Sequence, residues 1–131
     1  MSKQAHRIVK VGIMPLDEYK KRTIAIAKGE YKPHKDEPKI WFRSMKSLAH
    51  VLSEENQELL KLILETRPKS IKELEGATGR SANNLLRTLR MMEMYGLVKL
   101  KEGETGGRGR APLVPEVVYS GVDVEVDFVD S

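Results

Sequence analysis

Residues 70–112 read SIKELEGATGRSANNLLRTLRMMEMYGLVKLKEGETGGRGRAP, and the order of signals in this stretch decides the fold. Ser70 and Glu73 form a capping box, each side chain able to satisfy a free amide at a helix start, so a short helix is expected from Ile71 to about Thr78. Gly79 can take the left-handed conformation that ends it. Ser81 supplies a second N-cap, and a further helix is expected from Ala82 to about Tyr95. Two helices joined by so short a turn must cross steeply.

The second helix places Leu85, Leu89 and Met92 on one stripe, which is the face to bury. The opposite face carries Ala82, Asn83, Asn84, Arg87, Thr88 and Arg90. Small and amide residues in front, with arginines behind, suit a helix entering the DNA major groove, where asparagine bonds adenine and arginine bonds guanine in bidentate fashion. The competing reading of the same residues is an ordinary solvated helix face.

The residues beyond the helix bear on that choice. Gly96 stops it, and residues 97–101 (LVKLK) alternate as a strand with one apolar and one cationic side. Residues 103–112 form a glycine-rich loop bearing Arg108 and Arg110, and Leu113-Val114 can return as the partner strand. Arginines on such a hairpin can reach a minor groove or its flanking phosphates. The loop matches neither the phosphate-binding Walker pattern nor a dinucleotide fingerprint.

Several runs together resemble the archaeal and bacterial family of predicted winged-helix transcriptional regulators, which is related in fold to the MarR and ArsR repressors. They are TGRSANNLLRTLRMMEMYGLVKL (78–100), GGRGRAPLVP (106–115), LSEENQELLKLILETRPKSIKEL (52–74), VGIMPLDEYKKRTIAIAKGEY (11–31) and IWF (40–42). The resemblance implies a sequence-specific DNA-binding regulator, with Asn83, Asn84, Arg87 and Thr88 on the recognition helix and Arg108 and Arg110 on the wing. Some similar proteins are described as antitoxin-like partners of a small toxin. Leu86 departs from the family pattern where a small polar residue is usual, which bears on base contacts. Glu75 departs where a small apolar residue is common, which bears on packing between the two helices.

The chain has 131 residues and a formal net charge of +4, so the distribution of charge says more than its total. Cations run through the N-terminal part (Lys3, Arg7, Lys10, Lys20, Lys21, Arg22 and beyond). By contrast, the last twenty residues hold Glu116, Asp123, Glu125, Asp127 and Asp130 and no lysine or arginine. No cysteine is present, which excludes disulfides and thiolate metal sites. No apolar run nears the roughly twenty residues of a spanning helix, and the N-terminus lacks a signal-peptide core, so a cytoplasmic protein without a membrane partner is expected. The histidines His6, His34 and His50 are scattered, and no catalytic spacing is recognisable, so neither an enzyme nor a cofactor is expected.

Residues 7–13 (RIVKVGI) read as a strand. Pro15, Asp17 and Glu18 then open a helix to about Lys28, with Leu16, Tyr19, Thr23, Ile26 and Ala27 as its expected face. Residues 29–38 read as a connector, and Ile40-Trp41-Phe42 as a short strand or anchor, with Trp41 buried rather than free to stack on a base. A short helix from Ser44 through Leu52, with Met45, Leu48, Ala49 and Leu52 on one side, precedes a longer one from Ser53 to Thr66 that Pro68 ends. Residues 122–128 (VDVEVDF) alternate as a strand with an acidic face, which is expected to pair with the basic strand at 7–13, within one chain or across a dimer.

The expected architecture is α+β. It comprises an N-terminal strand-helix-strand extension (1–52) for docking or dimerisation, a winged helix-turn-helix domain (53–117) and a C-terminal acidic strand (118–131). The expected function is that of a homodimeric regulator of double-stranded DNA. Asn83, Asn84 and Arg87 would read bases, Arg108 and Arg110 would act in the wing, and Ser81 would contact DNA at the helix start. Arg80, Thr88, Arg90, Lys99 and Lys101 would meet phosphates. The alternative is a winged-helix interaction module that neutralises a toxin-like protein partner.

Overall fold

The β-branched residues among 8–13 (IVKVGI) favour a strand, and the remaining elements arise from equally local signals. The computed structural model describes residues 7–104, 109 and 111–128. In chain order the elements are β1 (Ile8–Ile13), α1 (Leu16–Ala27), β2 (Ile40–Phe42), α2 (Met45–Val51), α3 (Glu54–Thr66), α4 (Ile71–Thr78), α5 (Ala82–Met94), β3 (Val98–Glu102), β4 (Leu113–Val117) and β5 (Gly121–Glu125). The fold is mixed α+β, with two compact units: residues 51–120 form one, and the segments before and after them together form the other, the terminal unit.

In the terminal unit β1 is the central strand of a sheet ordered β2-β1-β5, and both of its pairings are parallel. Val11 lies opposite Ile40 and Val124, Val9 opposite Val122, and Lys10 opposite Asp123. Because paired residues share a face, valines and isoleucine gather on one side while Lys10, Asp123 and Glu125 gather on the other. Lys10 Nζ stands 3.3 Å from the Glu125 carboxylate. The expected pairing of acidic and basic strands thus occurs within one chain. β5 is shorter than expected: it ends at Glu125, and residues 126–128 continue outside the strand.

α1 differs from expectation in the face it turns inward. Leu16, Tyr19, Thr23 and Ala27 are exposed, no residue of the helix is fully buried, and Arg22, Ala25 and Ile26 are the half-buried ones. The cause is a polar hub in the connector. The Glu37 carboxylate accepts from Arg22 Nη2 at 2.6 Å, from the Tyr31 hydroxyl, and from the His34 amide at 3.2 Å. The Arg22 guanidinium lies 5.7 Å from the Tyr31 ring centroid and 5.4 Å from that of Trp41. The Tyr31 hydrogen bond, joined by those from Arg22 and His34, holds the Glu37 carboxyl well below its ordinary 4.5, at about 2, and the same bond raises the Tyr31 hydroxyl above 10.0. Trp41 packs over Gly12, where an added Cβ would stand 2.6 Å from its ring. Of the consecutive cations Lys20, Lys21 and Arg22, the arginine is therefore structural, while the two lysines are solvated.

The face expected of α2 is buried only in part: Leu52, just beyond its end, is buried and Leu48 half-buried, but Met45 and Ala49 are exposed and Val51 is buried in their place.

In the 51–120 unit each long helix begins on a serine. Ser53, Ser70 and Ser81 accept from the amides of Asn56, Glu73 and Asn84 respectively. The serine half of the expected box at α4 is present, while the Glu73 carboxylate reaches one residue beyond the N-cap and accepts from the Lys69 amide at 3.2 Å. α3 ends on Arg67 in the left-handed conformation (φ 47°), directly before Pro68, which cannot donate to continue the helix. The core gathers Leu59 and Ile63 of α3, Leu74 of α4, and Leu85, Leu89 and Met92 of α5, with Leu97 and Val98. β3 and β4 form an antiparallel pair, from Val98 opposite Val117 to Glu102 opposite Leu113. Among the described residues no helix is long and apolar enough to cross a membrane.

Candidate nucleic-acid interface

The α4–α5 turn is built by Gly79 at φ 75°, whose amide donates to the Glu75 carbonyl at 2.9 Å and closes α4. Glu75 then reaches across the turn, its Oε2 accepting from the Ala82 amide at 3.1 Å. Its carboxylate thus supplies a bond from one helix to the next.

α5 buries Leu85, Leu89 and Met92 completely and turns Asn83, Asn84, Arg87 and Arg90 to solvent, with Ser81 exposed at its start. Asn83 and Arg87 make no side-chain hydrogen bond or ion pair to the described residues, so their full donor sets face outward. Thr88 is a correction. It lies i+3 from Leu85 and i−4 from Met92, at the edge of the stripe, and it is buried with 9% of its surface exposed, not open to a phosphate.

Arg80 explains that burial. Its guanidinium donates to Thr88 Oγ1 at 2.8 Å, to Asn84 Oδ1 at 2.7 Å and to Asn56 Oδ1 at 3.5 Å. Asn56, itself buried in the first turn of α3, donates onward to the Val51 carbonyl at 3.0 Å. One half-buried fork therefore ties the turn and the front of α5 to α3, and Arg80 acts as a positioning residue. Sequence reasoning does not single out Asn56, although it stands three residues before the buried Leu59 on the same stripe.

At the other end of α5, Gly96 at φ 83° turns the chain and the Leu97 amide donates to the Met92 carbonyl at 3.0 Å. Glu93 links helix to strand: one carboxylate oxygen pairs with Arg90 at 3.3 Å and the other accepts from the Leu100 amide at 3.3 Å. Lys99 and Lys101 project to solvent from β3, Lys99 opposite Glu116 and Lys101 paired with it at 3.0 Å. At the base of the hairpin the Gly103 amide donates to the Pro112 carbonyl at 2.7 Å. Arg108 and Arg110 lie outside the described residues. No cluster of three or more metal-ligating side chains occurs among the described residues.

The sequence of residues 51–124, more than half of the chain, matches the family HVO_A0114. The chain belongs to the HVO_A0114 family. The HVO_A0114 match begins where α2 ends, covers α3 to β4, and runs into β5 as far as Val124. Arg80, Asn83, Asn84 and Arg87 all fall within it. No curated protein and no solved structure matches the chain.

Proposed function

We propose that the 51–120 unit is a winged helix-turn-helix and that the protein is a sequence-specific regulator of transcription that binds double-stranded DNA. α4 and α5 are then the helix-turn-helix, α5 the recognition helix, and the β3–β4 hairpin the wing. The observation that carries this reading is the division of α5: a fully buried apolar stripe, and opposite it the exposed Asn83 and Arg87, whose side chains make no hydrogen bond to the described residues. Both side chains can bond base edges in the major groove.

Lys99 and Arg90 then meet phosphates, and Arg80 holds α5 at its angle from within. The wing arginines Arg108 and Arg110 are assigned to the minor groove or its flanking phosphates, as the glycine-rich loop suggests. Two copies arranged about a two-fold axis read half-sites about 10 base pairs apart.

Selection of bound duplexes from a random pool tests the proposal. The expected result is a recurrent motif that is lost or relaxed at one or two positions by Arg87→Ala. A pool that is not enriched over successive rounds contradicts it.

A further inference from the structure

β5 is an edge strand, with β1 on one side and no strand on the other among the described residues. Edge strands carry unpaired backbone groups and recruit partners unless blocked. The strand and the residues after it alternate apolar and acidic: Val122, Val124 and Val126 against Asp123, Glu125 and Asp127. Val124 is 42% exposed, Val126 43% and Phe128 97%, so the apolar side is left uncovered where the sheet ends.

The chain already displays what this strand prefers on its inner side. β1 answers Val122 and Val124 with Val9 and Val11, and places Lys10 opposite Asp123 and within 3.3 Å of Glu125. Lys10 leaves Asp123 and Asp127 without an ion pair to the described residues.

A second β5 does not fit the outer side. Two strands paired edge to edge about a two-fold axis keep each face on the same side of the joined sheet. Asp123 and Glu125 of one copy would then stand against the same carboxylates of the other, and like charges opposite one another destabilise a strand pair.

We infer that the free edge of β5 binds an extended segment of another protein in which basic and apolar residues alternate, extending the Val9-Lys10-Val11 pattern that β1 sets against it. The added strand takes backbone hydrogen bonds from β5, sets its apolar residues beside Val122 and Val124, and sets its cations beside Asp123 and Asp127. This inference stands independently of DNA binding, which is assigned to the 51–120 unit.

The test titrates the full chain, labelled with nitrogen-15, with a nine-residue peptide of alternating lysine and valine. Two peptides serve as controls: one with glutamate replacing lysine, and one of the same composition with the lysines grouped together. Amide shifts at residues 121–125, slowed hydrogen exchange there, and weaker binding of both controls are expected. Asp123→Lys should lower affinity by about fivefold, the effect of replacing one favourable cross-strand charge pair with a repulsive one. Asp127→Lys, beyond the end of the strand and harmless to its pairing with β1, should act in the same direction. Equal binding of the grouped-lysine peptide, shifts that fall outside β5, or no binding at low salt would overturn the inference.

Discussion

The Arg80 guanidinium, in the turn before α5, donates to Thr88 Oγ1 at 2.8 Å, two helical turns along that helix. The bond takes Thr88 out of the exposed face to which sequence spacing assigns it, and engages Arg80, expected at a phosphate, within the fold. It makes the outward display of Asn83 and Arg87 depend on a side chain that does not share in it.

Removal of that side chain should therefore be felt as lost stability. Arg80→Ala leaves Asn56 and Thr88, both buried, without that donor, and a cost of about 1–3 kcal/mol is expected in urea unfolding. Arg80→Lys should recover little, because an ammonium cannot span three acceptors as the planar fork does. Arg87→Ala, at an exposed position, should stay within about 0.5 kcal/mol of the parent.

Gly12 should tolerate no side chain. A Cβ there would stand 2.6 Å from the Trp41 ring and 2.9 Å from Pro38, and the ring is also held by Arg22 stacked on it. Gly12→Ala is expected to cost about 1–3 kcal/mol, as overpacking does elsewhere, and thermal unfolding would show it as a lowered midpoint.

The Glu37 hub gives the terminal unit a dependence on acid. In the folded chain the carboxyl titrates at about 2, and in the unfolded chain near 4.5, so the unfolded state binds more protons between these values. The stabilisation is present above pH 4.5 and is lost as pH falls toward about 2. The raised Tyr31 hydroxyl acts at the other end: its contribution is whole below pH 10.0 and is lost as pH rises through its higher folded value. Tyr31→Phe removes the bond behind both, and stability measured against pH should flatten at the acid and alkaline ends together.

How much of the fold and site is legible in sequence depends on how local each signal is. Ser53, Ser70, Ser81, Gly79 and Gly96 mark helix ends through contacts only a few residues long, and the elements begin and end beside them. The stripe of Leu85, Leu89 and Met92 is equally plain, since periodicity alone specifies it. The pairing of β1 with β5 can be read from complementary charge although more than a hundred residues separate the strands. Thr88 and Arg80 cannot be placed that way, because a threonine at the border of a stripe goes inward only when a distant donor arrives to satisfy it. The inner face of α1 escapes sequence reading for a related reason: it is organised by Arg22 and the Glu37 carboxylate, and hydrophobic spacing carries no trace of an ion pair.

The most direct test of DNA binding by α5 is the affinity of the protein for random-sequence duplex as salt is raised. A recognition helix that displays Asn83 and Arg87 predicts binding at low salt whose logarithm falls linearly with that of the salt concentration, with a slope of about −0.9 for each phosphate contacted. Arg87→Ala, folded as the parent is, should bind more weakly. Absence of binding at low salt, or affinity unchanged by that substitution, would contradict it.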